Sequence, residues 1–356
     1  MQIETEEITS TLKRLIENED LDYIKGEIVW LINHLNIKYC NSDEDENDFT
    51  DDSGISFINS ILENLHQIEK SQTVERSKYY IRRMIKSLTE VRSGKINDIN
   101  LNRWKEYPDI ITDSLWLLDK RDSSGNHMAD YWGNFIPQIP NQLLRRFTKA
   151  DELILDTFLG SGTTLIECKR LQRNALGIEL QEVVAKTAKE RIKKDHIADP
   201  LNTFQEVITG NSAEVNFKQE LHKRKKKSFQ FVIMHPPYWD IIKFSEDPDD
   251  LSNKTTIDDF LNTFGRIVNN FTPYLDSGRY LALVIADKYQ KGELIPLGFL
   301  TMQEILKRDY KLKSTIVKNF DETTGKRGQK ELWRYRALAG GYYIFKHEYI
   351  FLFEKK

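Results

Sequence analysis

His235-Pro236-Pro237-Tyr238 closes an apolar run that begins at Phe231, and Trp239 and Asp240 follow it directly. Proline has no backbone N–H and a fixed φ, so the carbonyls of a Pro-Pro turn are rigid acceptors with no competing donor at either proline. A neutral imidazole adds one acceptor nitrogen, whereas a protonated one can only donate. Such a turn suits a substrate that presents N–H donors. Upstream, Leu153-Ile-Leu-Asp156 is a second apolar run, continued by Thr-Phe158-Leu-Gly160-Ser-Gly162-Thr163. Gly160 and Gly162 permit a tight turn and close approach of backbone to a ligand. The helix that opens after them presents free N–H groups. By itself, a short glycine turn serves a nucleotide in some chains and nothing in others.

Both turns need a scaffold that brings them together. From about residue 125, β-rich apolar runs alternate with helical stretches: 153–156, 174–180, 204–209, 229–234, 280–285, 312–318 and 349–353. Strands alternating with helices imply parallel pairing through crossovers, hence a doubly wound α/β sheet. Ligands of such sheets lie beyond the carboxyl ends of the strands at the switch point, which is where both turns fall. Glu179 ends the second run, and a carboxylate there can accept from both hydroxyls of a ribose. Asn211, in Gly210-Asn211-Ser212, ends the third and can accept through its amide oxygen. Asp287 and Lys288 end the fifth. The last two runs are separated by 319–346, where no helical pattern is evident, which predicts a terminal antiparallel hairpin.

Residues 1–120 differ in texture and carry no catalytic motif. Ile8, Leu12, Leu15 and Ile16 are spaced as on a helix, as are Ile24, Ile28, Leu31, Ile32 and Leu35. Ile55, Ile58, Ile61, Leu62, Leu65 and Ile68 mark another helix, and 77–91 a further one. The expected division is a helical region, 1–120, for packing, dimerisation or target recognition, and an α/β domain, 121–356.

Composition narrows the class. No apolar run reaches the length of about 18 residues that a membrane span needs, and the acidic start, Met1-Gln-Ile-Glu, lacks the layout of a signal peptide. Cys40 and Cys168 are too few for a disulfide framework or a cysteine-rich metal site, so no metal and a cytoplasmic location are expected. The net charge of −3 hides blocky patterning: 43–52 is acidic, 223–227 is basic, and Arg334 and Arg336 interleave with Trp333 and Tyr335 after Lys326 and Arg327. A nucleic-acid partner needs a local basic face rather than a basic total. The later cluster combines aromatic faces for bases with cations for phosphate.

In this order, with 75 positions between Gly160 and His235, the two turns resemble the signature motifs of the N4-cytosine/N6-adenine DNA methyltransferase family. The resemblance covers residues from about 130 to 356. It implies a seven-stranded doubly wound methyltransferase sheet ending in an antiparallel hairpin, with S-adenosyl-L-methionine as cofactor and DNA as partner. It implies that Asp156, Phe158, Gly160, Gly162 and Thr163 cradle the methionine part of the cofactor, Glu179 the ribose, and Asn211 the adenine, where the family usually has Asp. Tyr131-Trp132-Gly133-Asn134-Phe135 resembles the motif that closes over the methionine end. His235, Pro236, Pro237 and Tyr238 become the catalytic turn. Its acceptors would draw an exocyclic amino nitrogen toward tetrahedral geometry, while Tyr238 stacks on a flipped base. Flipping costs a few kcal/mol, and stacking returns roughly 1–3 kcal/mol. Trp239 would extend the wall, Asp240 would orient His235 or cap the next helix, and Arg334 and Arg336 would contact DNA.

The sequence departs from the family at position 235, where Asp, Asn or Ser is usual. A histidine acceptor predicts activity that falls between about pH 8 and 5.5, around the ordinary imidazole pKa. Ser in that place leans toward cytosine and Asp toward adenine; Trp239 after the tyrosine tips the expectation to cytosine N4. The rival readings are an inactive methyltransferase-like nucleic-acid-binding subunit, which would explain His235, and an RNA or protein amino-methyltransferase. A homodimer, and a restriction or phage-defence partner, are also compatible with the resemblance.

Overall fold

The structure, a computed structural model, describes residues 2–39, 52–118, 120–124, 127, 133–195, 197, 200–290, 292–320 and 330–356. The acidic stretch 43–51, Cys40, Tyr131, Trp132, Lys326 and Arg327 lie outside them. The chain divides into two compact units, 1–110 and 111–356. Among the described residues no helix is long and apolar enough to cross a membrane.

The first unit is helical: α1 (Gln2–Ile16), α2 (Leu21–Tyr39), α3 (Asp52–Glu69) and α4 (Val74–Thr89). The periodic residues make its core, with Leu12, Leu15, Ile24, Ile28, Leu65, Ile68 and Ile81 wholly buried. Thr73 starts α4 by accepting the Arg76 N–H at 3.2 Å, satisfying one orphan donor of the first turn.

The second unit runs β1 (Leu115–Trp116), α5 (Gln138–Phe147), β2 (Leu153–Asp156), α6 (Thr163–Arg170), β3 (Asn174–Glu179), α7 (Glu182–Lys194), β4 (Gln205–Thr209), α8 (Phe217–Lys223) and β5 (Phe229–Met234). It continues through α9 (Ile257–Phe271), β6 (Leu275–Ile285), β7 (Lys288–Gln290), β8 (Glu293–Ile295), α10 (Leu297–Leu306), β9 (Tyr310–Asn319), α11 (Lys330–Gly340) and β10 (His347–Lys355). The main sheet has the order β1-β9-β10-β6-β5-β2-β3-β4. β2 and β3 are buried along their whole length, as strands covered by helices on both faces must be. β2 pairs in parallel with β3 on one side and with β5 on the other, so chain direction through the sheet reverses there. The glycine turn leaves β2 and the His-Pro-Pro-Tyr turn leaves β5 at that reversal.

All seven expected strands are present, and β9 and β10 form the antiparallel hairpin, Val317 facing Tyr349. Three features depart from expectation, the first being the separate antiparallel pair of β7 and β8, Tyr289 facing Leu294. An eighth strand in the main sheet, β1, pairs in parallel with β9, Leu115 facing Val317; two residues are too short a run to register as a strand in the sequence. The segment 319–346 contains α11, a helix that the sequence pattern does not show. Its Leu332, Trp333, Tyr335 and Leu338 spread over more than half of the helix circumference, so it lacks the narrow apolar stripe by which helices are recognised.

Candidate active site

Burial organises the end of β2. Asp156 is 1% exposed, and its Oδ1 accepts the Phe158 N–H at 2.9 Å, which starts the turn. Burial pushes its pKa up to about 6, with the nearby Glu179 charge acting in the same direction. Gly160 and Gly162 take φ of +54° and +91°, the left-handed region that glycine enters without strain. The Gly160 N–H donates to Glu179 Oε2 at 2.9 Å, and the Gln181 N–H donates to Oε1 at 2.9 Å. Glu179 therefore clamps the turn after β2 to the end of β3. Burial raises its pKa, against these two donors.

One cavity of about 830 Å³ opens at this edge. Phe158, Gly160, Thr163, Glu179, Asn211, Gly133 and Phe135 line it, as do His235, Pro236, Pro237 and Tyr238. Asp156 and Gly162 do not. Asp156 accepts the Phe158 N–H that starts the turn, and Gly162 is needed for its left-handed φ of +91°, an added Cβ meeting Ala188 and Ile192 only at ordinary contact distance. Thr163 Oγ1 donates to Asn134 Oδ1 at 2.7 Å, tying the Gly133–Phe135 loop to the start of α6. The Asn211 oxygen accepts the Ala213 N–H at 2.9 Å, so it already shapes its own turn while facing the cavity.

His235 is half-buried, with the Phe135 ring 4.9 Å from its own and Tyr238 edge-on at 5.5 Å. Its Nε2 lies 3.1 Å from Tyr238 Oη, which donates to Glu348 Oε2 at 2.9 Å. Lys318 Nζ sits 3.1 Å from Glu348 Oε1. Burial lowers the His235 pKa to about 4. This corrects the expected loss of activity between pH 8 and 5.5: the imidazole is neutral throughout that range.

Three further expectations change. Trp239 does not extend the cavity wall. Its φ of +54° turns the indole into the core, where it is 6% exposed and Nε1 donates to the Lys254 carbonyl at 2.7 Å. Asp240 neither orients His235 nor caps a helix; it pairs with Lys288, whose ammonium lies 4.4 Å over the Trp239 ring. Arg334 and Arg336 are exposed on α11 and do not line the cavity, although Trp333, just before them, does. The basic run 223–227 is largely consumed in ion pairs, Lys223 and Arg224 with Glu220, and Lys226 with Asp151.

Sequence reasoning missed Glu348 and Lys318, which also line the cavity. For Glu348 the available signal was a charge leading into the apolar run of β10, whereas β9 also carries Lys311 and Lys313 and marks Lys318 by no pattern. It also missed the brace across the cavity mouth. There Asp250 accepts from Ser245 Oγ at 2.7 Å and from the Ser252 N–H at 2.8 Å, holding the loop that carries Phe244.

The family described as DNA methylase matches residues 18–190. That match takes in the glycine turn and stops short of His235. The chain is 56% identical over 83 residues to the Type II methyltransferase M.SmaI of Serratia marcescens, covering 22% of this chain and 26% of that protein. It is 32% identical over 104 residues to the Type II methyltransferase M.MjaII of Methanocaldococcus jannaschii, covering 27% and 19%. The chain thus spans about a fifth to a third of the length of the curated relatives it matches. A methyltransferase structure from Pyrococcus furiosus aligns with a TM-score of 0.40 at 14% identity, over 64% of this chain and 87% of that one.

S-adenosyl-L-methionine is the cofactor of that family, and the residues at this edge fit it. Glu179 lines the cavity, and a carboxylate whose oxygens each accept one backbone N–H retains acceptor capacity for hydroxyls, while Gly160 leaves the turn without a side chain. By its glycine turn, its relatives and that match over residues 18–190, the chain is similar to the N4-cytosine/N6-adenine DNA methyltransferase family.

Proposed function

We propose that this protein methylates DNA, transferring a methyl group from S-adenosyl-L-methionine to the exocyclic amino group of a flipped base, with cytosine N4 favoured over adenine N6. The observation that carries the proposal is the cavity onto which the Glu179 and Gly160 edge and the His235–Tyr238 turn both open. A methyl donor held at one end and an amino acceptor held at the other would meet in it. Positioning of this kind is the larger part of what a transfer between two bound partners requires.

The cofactor supplies an electrophilic methyl group on a sulfonium sulfur. The chain's residues must make a poor nucleophile competent, because the amino lone pair is delocalised into the base. Pro236 and Pro237 cannot donate, so their turn offers acceptors alone to the amino protons. His235, neutral at physiological pH, adds a lone pair rather than a competing donor. The Phe135 ring packs against the imidazole, 4.9 Å between centroids. The exposed cations of α11, Arg334 and Arg336, would meet phosphate in this reading.

The test is transfer of labelled methyl from S-adenosyl-L-methionine to unmethylated DNA, with nucleoside mass spectrometry of the product, for wild type and Tyr238→Ala. N4-methylcytosine or N6-methyladenine in the wild type alone supports the reading and identifies the base. No methylated nucleoside despite measurable cofactor binding would refute it, in favour of the non-catalytic binding subunit.

A further inference from the structure

The hydrogen bonds around His235 determine which of its nitrogens carries the proton. Tyr238 has one phenolic proton, and burial together with Glu348 holds its pKa well above the ordinary value, so the hydroxyl stays protonated. Glu348 is paired with the Lys318 ammonium at 3.1 Å and acts as an acceptor-only carboxylate. The Tyr238 proton therefore goes to Glu348, across 2.9 Å. The oxygen that gives that proton away can only accept from His235, so Nε2, at 3.1 Å, must be the N–H. Nδ1 is left with the lone pair, and it makes no hydrogen bond among the described residues. The groups that face the ring are Tyr238 from its own turn, Glu348 from β10 and Lys318 from β9, with Phe135 packed against it.

We propose that Glu348 and Lys318, on two strands remote in sequence from the turn, are positioning residues that fix His235 as its Nε2–H tautomer and leave Nδ1 as the acceptor for substrate. The identity of what Nδ1 accepts rests on the methyl-transfer reading; the tautomer itself does not. At this position an Asp or Ser side chain can accept without help, whereas an imidazole accepts at a given nitrogen only if a partner assigns the proton to the other. The Lys318–Glu348 pair is thus the companion that a histidine here requires.

The experiment uses the full chain labelled with ¹⁵N-histidine, with His235 assigned as the signal pair lost in His235→Gln. The wild type is expected to show a protonated Nε2 and an unprotonated Nδ1. In Glu348→Gln the Lys318 ammonium would hold the amide oxygen, so the amide NH₂ would face Tyr238 Oη. The hydroxyl would then donate to His235 Nε2 and the proton would move to Nδ1. The two nitrogen signals should exchange character, with cofactor affinity unchanged and kcat for DNA methylation lowered about 10- to 100-fold, as when a partner that fixes an imidazole tautomer is removed. Tyr238→Phe is the second variant; it removes the oxygen that Nε2 donates to and should leave the proton shared between the nitrogens. A protonated Nδ1 in the wild type, or unaltered nitrogen signals in both variants, overturns the proposal. So does a reversed tautomer with full turnover. A wild type that carries the expected tautomer and methylates no DNA would sink the functional reading while leaving the tautomer assignment standing.

Discussion

Replacing Asp156 with Asn should stabilise the α/β unit, although Asp156 begins the cofactor motif. The carboxyl is 1% exposed, and burial moves its pKa from 3.8 to about 6. A pKa displaced by one pH unit corresponds to about 1.36 kcal/mol, so carrying the charge in the folded state above pH 6 costs about 3 kcal/mol relative to the unfolded chain. The sign follows from proton binding. Between pH 3.8 and about 6 the native state holds the proton and the unfolded state does not, so stability is lost as pH rises through the folded pKa. Asn keeps an oxygen to accept the Phe158 N–H and carries no charge. Urea denaturation of both proteins from pH 7.5 down to 5 would measure the difference. The Asn variant should be more stable by up to about 3 kcal/mol at pH 7.5, and that margin should fall by about half at pH 5. An Asn variant no more stable than wild type at pH 7.5, or a margin that does not change with pH, would refute the reasoning. Comparing the two proteins cancels the carboxylates whose pKa values are lowered by ion pairs, such as Glu220 and Glu304, which act in the opposite sense.

Three other outcomes are expected. With the His235 pKa near 4, its lone pair is available above that value and lost below it, so single-turnover methylation should be flat from about pH 8 to 5 and decline only toward pH 4; a midpoint near the ordinary imidazole pKa would contradict the burial argument. Glu179→Ala strands the Gly160 and Gln181 N–H groups and removes acceptors for the ribose. It should weaken S-adenosyl-L-methionine binding by about 10- to 100-fold in calorimetry, and unchanged affinity would remove Glu179 from the site. Trp239→Ala should act through packing, lowering unfolding free energy by about 3–5 kcal/mol; a variant of full stability that loses only base binding would return the indole to the cavity wall.

Local pattern was enough for much of this protein. Strand runs such as Leu153–Asp156 and Phe229–Met234 are legible because a parallel sheet covered on both faces demands uninterrupted apolar residues. The turns at their carboxyl ends are legible because only glycine and proline meet their backbone needs, so Gly160 and His235-Pro236-Pro237-Tyr238 could be named before any coordinates. Helix α11 was invisible for the converse reason: its apolar residues form no single face. The direction in which a side chain points, and what it meets, belonged to the tertiary structure. Trp239 follows the His-Pro-Pro-Tyr turn directly, yet one residue of left-handed backbone sends it to the core. Glu348 lies 110 positions from Tyr238 in sequence and 2.9 Å from it in space, because the β9–β10 hairpin returns beside β6. Asp240 is taken by Lys288 across 48 positions. The sequence by itself determined the fold class and the two turns, since those depend on interactions among near neighbours. Which charges surround His235, and hence its pKa and its protonated nitrogen, was decided only when the sheet brought distant strands together, because electrostatics acts through distance in space and burial rather than through order along the chain.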